Sequence, residues 1–431
     1  MLKNTSIVII GNILFKLISL FVTIILARYL GIADFGKYSF IYAYTAFFGI
    51  LTDLGIQTIL VREMSQDYSK SSLIFGNSYV IKLIFTVMAI IVSIICIFFL
   101  PYPITTKILV SIASFNLLFA SLSNLYGTIF QTNLKMEYTV IPKLLSRISS
   151  AVIILYIIMI KGSLLQIIIA ILFSEVIRLL ASYLFSRKYI NLQIGLNLQL
   201  WKNILKNAIP IAFFNVIWIF YYQVDILMLS FIKGDVSVGL YSAATKLNEP
   251  IGFFVEASII TLFPVMSSLA VTSNEKLKYI YINGLRYIVI FMLLVAVVAT
   301  ILSDNLIHFI YGEQFSNSAD VFIILIWSLV FISMNSFLSH FLISIDNQKA
   351  VAKIYFISAA INIFLNYVLI PTYDYGGAAF ATLITNIILL FLNYNTCSSK
   401  FTKASLTSIF IKPFIGIAFT ILFTFFFSEL N

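Results

Sequence analysis

Apolar runs of about 20 residues recur along the whole chain, and this is the length that a helix needs to cross the hydrocarbon core of a bilayer. Only 10% of the 431 residues are charged, which is too few to cover the surface of a soluble protein of this size. The sequence therefore predicts an all-α, polytopic membrane protein, and no stretch is left for a soluble domain of ordinary size. About thirteen spans can be placed, at residues 6–28, 38–61, 77–100, 105–130, 141–161, 163–186, 208–232, 239–269, 280–303, 318–345, 351–371, 376–396 and 408–428.

Basic residues are divided unevenly between the alternating loops of this topology. The poorer set of loops holds Arg28, Lys37, Lys107, Lys161 and Lys233. The richer set holds Lys3, Arg62, Lys70, Lys135, Lys143, Arg147, Arg187, Lys188, Lys202, Lys206, Lys276, Lys278, Lys349, Lys353, Lys400, Lys403 and Lys412. Because cytoplasmic loops carry the excess of lysine and arginine, we expect the richer set and the N-terminus to be cytoplasmic. The net charge of +10 then belongs to a membrane face and does not indicate nucleic-acid binding.

An internal repeat divides the spans into two groups. When the chain is shifted by about 203 residues without gaps, Gly31, Gly36, Tyr38 and Ser39 fall on Gly234, Gly239, Tyr241 and Ser242. The same shift places Asn12 on Asn215, Gly49 on Gly252, and Asp53 on Glu256. We therefore expect two six-helix lobes of the same orientation, residues 1–195 and 196–400, and an additional transmembrane helix within residues 401–431. Parallel repeats of this kind are a transporter architecture, with the substrate site between the halves.

A lysine lies near the middle of the first predicted span. At that depth the charge of Lys16 is costly unless it meets water, an acid or a bound anion. Two interpretations stay open, a water-filled cavity and a buried pair with an acid. Lys16 shares one helical face with Asn12, Ser19 and Thr23, and the equivalent span of the repeat carries Asn215 and Asp225 on a similar face.

Acidic residues also fall inside the spans. Asp53 and Glu256 are equivalent in the repeat, and both are expected in the middle of a helix. For these two and for Asp225, a role in a cavity or in ion coupling competes with hydrogen bonding between helices.

Three further polar groupings have simpler explanations beside a functional one. Glu175 and Arg178 are spaced to neutralise each other on one helix. Lys246 and Glu249 precede Pro250, which is consistent with a gated helix and equally with a static kink. The remaining grouping is a polar stripe that either joins helices or lines a cavity, and it consists of Ser358, Asn362 and Asn366.

Signatures of an enzyme are absent from the sequence. The chain has two histidines, His308 and His340, which is too few for a histidine-rich metal site. No nucleophile elbow, phosphate-binding loop or dinucleotide-binding motif stands out, so neither a metal nor an organic cofactor is expected.

Short motifs recur in a fixed order from the first span to about Thr382. The first lobe carries Arg28-Tyr-Leu-Gly-Ile-Ala-Asp-Phe-Gly-Lys-Tyr-Ser39, Leu51-Thr-Asp-Leu-Gly55 and Val61-Arg-Glu63. The second carries Val224-Asp-Ile-Leu-Met-Leu229, Val238-Gly-Leu-Tyr-Ser-Ala-Ala-Thr-Lys-Leu247, Phe263-Pro264, Ile370-Pro371 and Gly376-Gly-Ala-Ala-Phe-Ala-Thr382. In order and spacing these segments resemble the polysaccharide-export flippases, or Wzx-type translocases, of the multidrug/oligosaccharidyl-lipid/polysaccharide superfamily. Members of that family usually have twelve or fourteen spans, so thirteen is a departure.

This resemblance implies a function and assigns roles to the candidate residues. The cargo would be an oligosaccharide linked to a polyprenyl phosphate or pyrophosphate, with membrane lipid and glycan-assembly enzymes as further candidate partners and no nucleic acid. Acids suited to proton or sodium coupling would be Asp53, Asp225 and Glu256. Groups suited to the phosphate and the sugars would be Lys16, Arg28, Arg62, Lys246, Asn12 and Asn215. A cation-coupled drug exporter of the same superfamily is the alternative, and a membrane polysaccharide polymerase is less favoured.

Overall fold

The structure is a computed structural model that describes residues 2–190, 193 and 195–402. No strand occurs in this part of the chain, and almost all of it is helical. The predicted all-α class is confirmed. Twelve α-helices follow one another: α1 Leu2–Gly49, α2 Ile56–Gln66, α3 Ser71–Phe99, α4 Ile104–Ser114, α5 Asn116–Thr132, α6 Glu137–Met159, α7 Leu164–Ser186, α8 Leu198–Lys233, α9 Asp235–Thr272, α10 Asn274–Tyr311, α11 Ser318–Ser344 and α12 Gln348–Lys400.

Among the described residues, nine helices are long and apolar enough to cross a membrane, or up to ten if the bent α8 counts as one span. Two of them are long enough to hold two predicted spans each. The backbone leaves helical geometry inside both, at Gly31 in α1 and at Asp374 in α12. The first twelve predicted spans therefore lie within the described residues, although the second, 38–61, continues past the end of α1 into α2. The thirteenth, residues 408–428, lies outside the described residues, as does nearly all of the predicted segment 401–431.

Two glycines of the internal repeat share one backbone conformation. Gly31 has φ 72° and ψ 177°, and Gly234 has φ 87° and ψ −168°. A positive φ is costly for a residue with a Cβ atom but not for glycine. Gly31 interrupts α1, and Gly234 separates α8 from α9. The repeat therefore marks the same local turn at both places.

The second predicted span is broken, which corrects the expectation that Asp53 lies in the middle of a helix. The helical path of α1 ends with a short 3₁₀ turn, Ile50–Thr52. Leu54 (φ 44°) and Gly55 (φ 78°) then adopt left-handed conformations before α2 begins. Asp53 accepts a hydrogen bond from the backbone N–H of Gln57 at 3.2 Å. Its carboxylate thus helps to cap α2 and sits at the break.

The chain divides into two compact units, Met1–Leu227 and Met228–Asn431. The first unit extends past the lobe boundary expected at residue 195 because the first turns of α8 pack on it. Ile204 and Ala208 are fully buried in an apolar cluster with residues of α2, α3 and α5. This packing assigns the beginning of α8 to the first unit.

Asn77 holds the segment that leads into α8. Its Oδ1 accepts the backbone N–H of Asn197 at 2.8 Å and the indole N–H of Trp201 at 3.0 Å. Its Nδ2 donates to the backbone O of Leu73 at 2.9 Å. Because the side chain of Asn77 is completely buried, each of these bonds replaces a lost contact with water.

In the second unit, α11 is the most enclosed of the candidate spans, and 67% of its most apolar stretch is buried. It packs against α9, α10 and α12. These three neighbouring helices supply the packing partners of α11, including those of its polar residues.

Candidate functional site

Lys143 of α6 meets Glu175 and Arg178 of α7 inside the first unit. Together with Arg147, which lies one helical turn from Lys143 on α6, we call these residues the charge cluster. Arg178 Nη1 lies 3.1 Å from Glu175 Oε2, which confirms the pair predicted from their spacing. Lys143 lies within electrostatic range of both Arg178 and Glu175. The cluster therefore holds three cationic side chains and one carboxylate.

Arg147 reaches across to the first helix of the unit. Its Nη2 donates to the backbone O of Ser19 at 3.3 Å, and its guanidinium carbon is 5.8 Å from the centroid of the Phe15 ring. Its Nε is buried and has no hydrogen-bond partner among the described residues. An unsatisfied buried donor is costly, so Arg147 lacks part of the hydrogen bonding that a guanidinium normally makes.

Lys143 and Arg147 were grouped with the basic residues of the loops, whereas the structure places both inside a helix. Both lie within α6, which begins at Glu137 and continues through Pro142. They are four residues apart and thus share one face of the helix. Ser146, buried beside them, donates to Glu175 Oε1 at 3.3 Å. The sequence signal for this cluster was the four-residue spacing of Lys143 and Arg147, together with the serine between them.

A second ionic contact was not predicted at all. Lys82 Nζ lies 2.8 Å from Asp53 Oδ1, and the lysine side chain is 1% exposed. Lys82 belongs to α3, within the predicted span 77–100. A lysine inside an apolar span needs a partner, so the residue could have been singled out, although its partner could not.

The second unit contains a third group, formed between α9 and α11. Ser336 donates its hydroxyl to Glu256 Oε2. His340 Nε2 lies 3.8 Å from Glu256 Oε1, and the imidazole packs edge-on against Phe263. Glu256 was predicted as an ion-coupling residue, whereas Ser336 and His340 were not singled out as its neighbours.

The remaining predicted residues lie in different surroundings. Lys16 and Asn12 are half-buried on α1, Asn215 is half-buried on α8, and Arg28 and Arg62 are exposed. Asp225 is buried, with 6% of its surface exposed. Lys246 forms an ion pair with Glu249, three residues further along α9. Asp53, Lys246 and Glu256 thus each pair with a residue outside the predicted set.

The polar stripe predicted in the eleventh span is buried within the second unit. Ser358, Asn362 and Asn366 are at most 2% exposed, and Asn366 Nδ2 donates to Asn362 Oδ1 at 3.1 Å. Between α11 and α12, Asn335 donates to the backbone O of Asn386 at 2.9 Å. The bond between α11 and α12 is of the kind that holds membrane helices together, whereas the bond within the stripe joins two residues of α12 itself.

No group of three or more His, Cys, Asp and Glu side chains in the described part of the chain is arranged to hold a metal ion.

Two family profiles match the sequence. The family described as "Polysaccharide biosynthesis protein" matches residues 1–270, which is more than half of the chain. The family described as "MatE" matches residues 210–368. The two matches together extend from the first helix into α12.

Two curated proteins are similar over different lengths. "Capsular polysaccharide biosynthesis protein CapF" from Staphylococcus aureus is 24% identical over 404 residues, which cover 91% of this chain and 98% of that protein. "Probable low-salt glycan biosynthesis flippase Agl15" from Haloferax volcanii is 22% identical over 181 residues, which cover 42% of this chain and 38% of that protein.

Solved structures show the same fold. The lipid II flippase MurJ in an inward closed conformation superposes with a TM-score of 0.80 at 19% identity, covering 98% of this chain and 92% of that one. An inward-facing multidrug resistance MATE family transporter superposes with a TM-score of 0.71 at 13% identity, covering 90% and 94%. The fold is that of the MurJ and MATE proteins, and the expected superfamily is confirmed. Its members are transporters and not enzymes. From the match over residues 1–270, the chain belongs to the polysaccharide biosynthesis protein family.

Proposed function

We propose that this chain is a flippase that moves lipid-linked oligosaccharides across the cytoplasmic membrane by alternating access, for the assembly of a surface polysaccharide or another glycan. The lipid would be a polyprenyl carrier joined to the sugar by a phosphate or pyrophosphate. The family match and the two glycan-related proteins support this class of cargo. The charge cluster is the structural observation that carries the proposal.

The charge cluster suits an anionic link. Lys143 and Arg178 lie beside the single carboxylate of the cluster. With Arg147 on the next turn of α6, the cluster keeps a surplus of positive charge. Charge of this kind among apolar helices is costly unless it is balanced. A phosphate supplies both the balancing charge and the acceptors that a guanidinium fork binds well. Arg147, whose Nε is without a partner among the described residues, is the best placed donor.

The sugar imposes a second requirement. Each hydroxyl that enters hydrocarbon without a hydrogen-bond partner costs several kcal/mol. Both units bury polar residues between their helices. A polar path through the protein would remove this barrier, while the polyprenyl tail stays in the bilayer.

A cation-coupled exporter of small molecules is the second candidate, and the match of residues 210–368 to the MatE family favours it. A site for cationic drugs needs acids and aromatic rings, with few cations. The excess of basic side chains in the charge cluster opposes that requirement, so we prefer the glycan flippase.

The test is a flipping assay with the purified protein in liposomes. A panel of lipid-linked glycans should include monophosphate and pyrophosphate links and two polyprenyl carriers, with a cationic dye as the competing cargo. Movement of the dye without movement of any lipid-linked glycan would contradict the proposal and favour the exporter.

Variants of the charge cluster sharpen this assay. Lys143→Gln and Arg147→Gln should each slow flipping by about ten-fold or more, because a hydrogen bond to a charged group contributes about 1.5–3 kcal/mol. Lys202→Gln, at an exposed lysine of α8, is the matched control and should flip at the normal rate. Equal flipping rates for all three variants would show that the charge cluster does not contact the substrate.

Lys16 is proposed to contact the same anionic link. Lys16→Ala should abolish flipping at normal protein abundance, whereas Lys16→Arg should keep part of it because the positive charge survives. Full flipping by Lys16→Ala would return this lysine to a structural role.

A further inference from the structure

The surroundings of His340 favour one tautomer of its neutral ring. Its Nδ1 lies 2.9 Å from the backbone O of Ser336, one helical turn earlier on α11, and 3.5 Å from the hydroxyl of the same serine. The shorter contact is to a carbonyl oxygen, which can only accept a hydrogen bond, so it favours the ring with the proton on Nδ1. The other ring nitrogen, Nε2, is then unprotonated and carries a lone pair that can accept a proton.

That lone pair faces a carboxylate. Nε2 is 3.8 Å from Glu256 Oε1, and Glu256 Oε2 already accepts the hydroxyl proton of Ser336. Two acceptors that face each other repel, and the gap is about 1 Å longer than a normal N–H···O bond. One proton on Nε2 would turn this repulsion into a charge-assisted hydrogen bond.

Other polar and titratable groups of the second unit face other sides of α11. Ser339 donates to the hydroxyl of Tyr355 on α12 at 3.4 Å, while the ring of Phe341 packs in a tilted arrangement against Tyr281 of α10, with ring centroids 4.5 Å apart. The side of α11 that carries Ser336 and His340 meets α9.

Three further charged residues of α9 and α10 have partners of their own. On α9, Lys246 and Glu249 form an ion pair. On α10, Arg286 Nη1 donates to Asn283 Oδ1 at 3.4 Å. These contacts leave Glu256 as the carboxylate that Nε2 of His340 faces.

Neither partner is fully enclosed by the protein. The side chain of His340 is 27% exposed, and that of Glu256 is 40% exposed. This access distinguishes the group from the Asp53–Lys82 pair, in which the lysine is sealed from solvent. An imidazole next to a carboxylate is also a common proton carrier at physiological pH.

We propose that Glu256, Ser336 and His340 form a binding site for one proton, which is taken up on Nε2 of His340 from water and links α9 to α11. The lone pair of Nε2 accepts the proton, and the new N–H donates to Glu256 Oε1. The site itself is independent of the cargo. Its role in transport rests on the proposed function: the bound proton would couple the movement of these helices to a proton gradient.

Magnetic resonance of the histidines tests the site without any cargo. The protein has two histidines, so nitrogen-15 histidine labelling in lipid nanodiscs gives two ring systems, which a His308→Asn variant assigns. At alkaline pH, His340 should show the Nδ1–H tautomer, and exposed His308 is the internal reference. On acidification, Nε2 of His340 should gain a proton and a through-space coupling to a glutamate carboxyl carbon.

Two variants distinguish the site from a fortuitous contact. Glu256→Gln should remove the coupling to the glutamate carboxyl carbon. Ser336→Ala keeps the backbone carbonyl and should therefore keep the Nδ1–H tautomer. A neutral His340 in the Nε2–H tautomer, or an acid form that Glu256→Gln leaves unchanged, would overturn the proposal.

The flipping assay tests the coupling separately. An imposed proton gradient should accelerate flipping by the unmodified protein but not by Glu256→Gln or His340→Gln. If glycans flip at a rate that ignores the gradient, the coupling role is wrong and the flippase proposal stands. If no glycan flips but the resonances behave as expected, the flippase proposal fails and the proton site stands.

Discussion

Lys82 Nζ lies 2.8 Å from Asp53 Oδ1, a contact that joins the interior of α3 to the break between α1 and α2. The two partners differ in their access to water, because the lysine side chain is 1% exposed and the aspartate side chain is 30% exposed. Asp53 also accepts the backbone N–H of Gln57. The pair thus stabilises the break in the backbone. Substitution of Asp53 and substitution of Lys82 should have different effects on stability.

Asp53→Asn should destabilise the protein more than Lys82→Met does. The first change strands a buried ammonium group, which costs about 3 kcal/mol. The second leaves a carboxylate that water can reach and should cost about 1 kcal/mol. Equilibrium unfolding in mixed micelles measures both changes.

The double variant Asp53→Asn/Lys82→Met is the control for this prediction. It should recover most of the stability lost by Asp53→Asn, because no charge remains buried without a partner. Costs that simply add would show that the two residues act independently.

Gly55→Ala should be strongly destabilising. Gly55 has φ +78°, and an added Cβ would lie 2.7 Å from Ile211 Cβ and 2.9 Å from the backbone O of Ala208. The left-handed conformation alone costs a residue with a Cβ about 1–2 kcal/mol, and the overlap with α8 adds to it.

A matched glycine within α5 gives the comparison. An added Cβ at Gly127 meets no atom within 4 Å, so Gly127→Ala should be neutral or stabilising by up to about 1 kcal/mol. Melting temperatures in nanodiscs compare the two variants, and similar values would contradict the close approach of α8 to the break.

Asn77→Ala should loosen the segment that leads into α8. The substitution removes the acceptor of the Asn197 N–H and of the Trp201 indole N–H, at a cost of about 1–3 kcal/mol. We expect limited trypsin digestion at Lys202 to become faster. Asn133→Ala is the comparison: its Oδ1 accepts from the exposed Tyr68 hydroxyl, so digestion at Lys202 should stay unchanged. Equal digestion of Asn77→Ala and the parent protein would show that Asn77 does not hold this segment.

The orientation predicted from the basic residues remains to be tested by labelling single cysteines in intact cells. With Cys96 and Cys397 replaced by serine, Lys206→Cys and Lys276→Cys should resist a reagent that cannot cross the membrane. Lys161→Cys, in an opposing loop, should react. All three lysines are exposed, so access within the protein does not limit the reaction. The opposite labelling pattern would show that the predicted orientation is wrong.

The helices were largely predictable because length and hydropathy are local properties of a sequence. The breaks were predictable only in part. Gly31 and Gly234 could be recognised from the repeat, whereas the break at Asp53 could not, because apolar residues continue on both sides of Gly55. The packing of α8 against that glycine is a contact between distant segments, and no periodicity within the span encodes it.

The candidate sites show the same limit. Periodicity placed Glu175 beside Arg178 because both lie on one helix. It could not place Lys82 beside Asp53, or His340 beside Glu256, because each pair joins different helices. Helical spacing tells which face a residue occupies, but the neighbouring helix decides what that face meets.

The place of Ile204 and Ala208 in the first apolar cluster has a consequence for biosynthesis. When the ribosome has synthesised the first seven candidate helices, the interior of the first unit is still incomplete, because its last apolar side chains belong to α8. The first unit can therefore complete its packing only after this part of α8 has left the ribosome. A chain that ended between Ser186 and Ile204 would lack two of the side chains that fill this cluster.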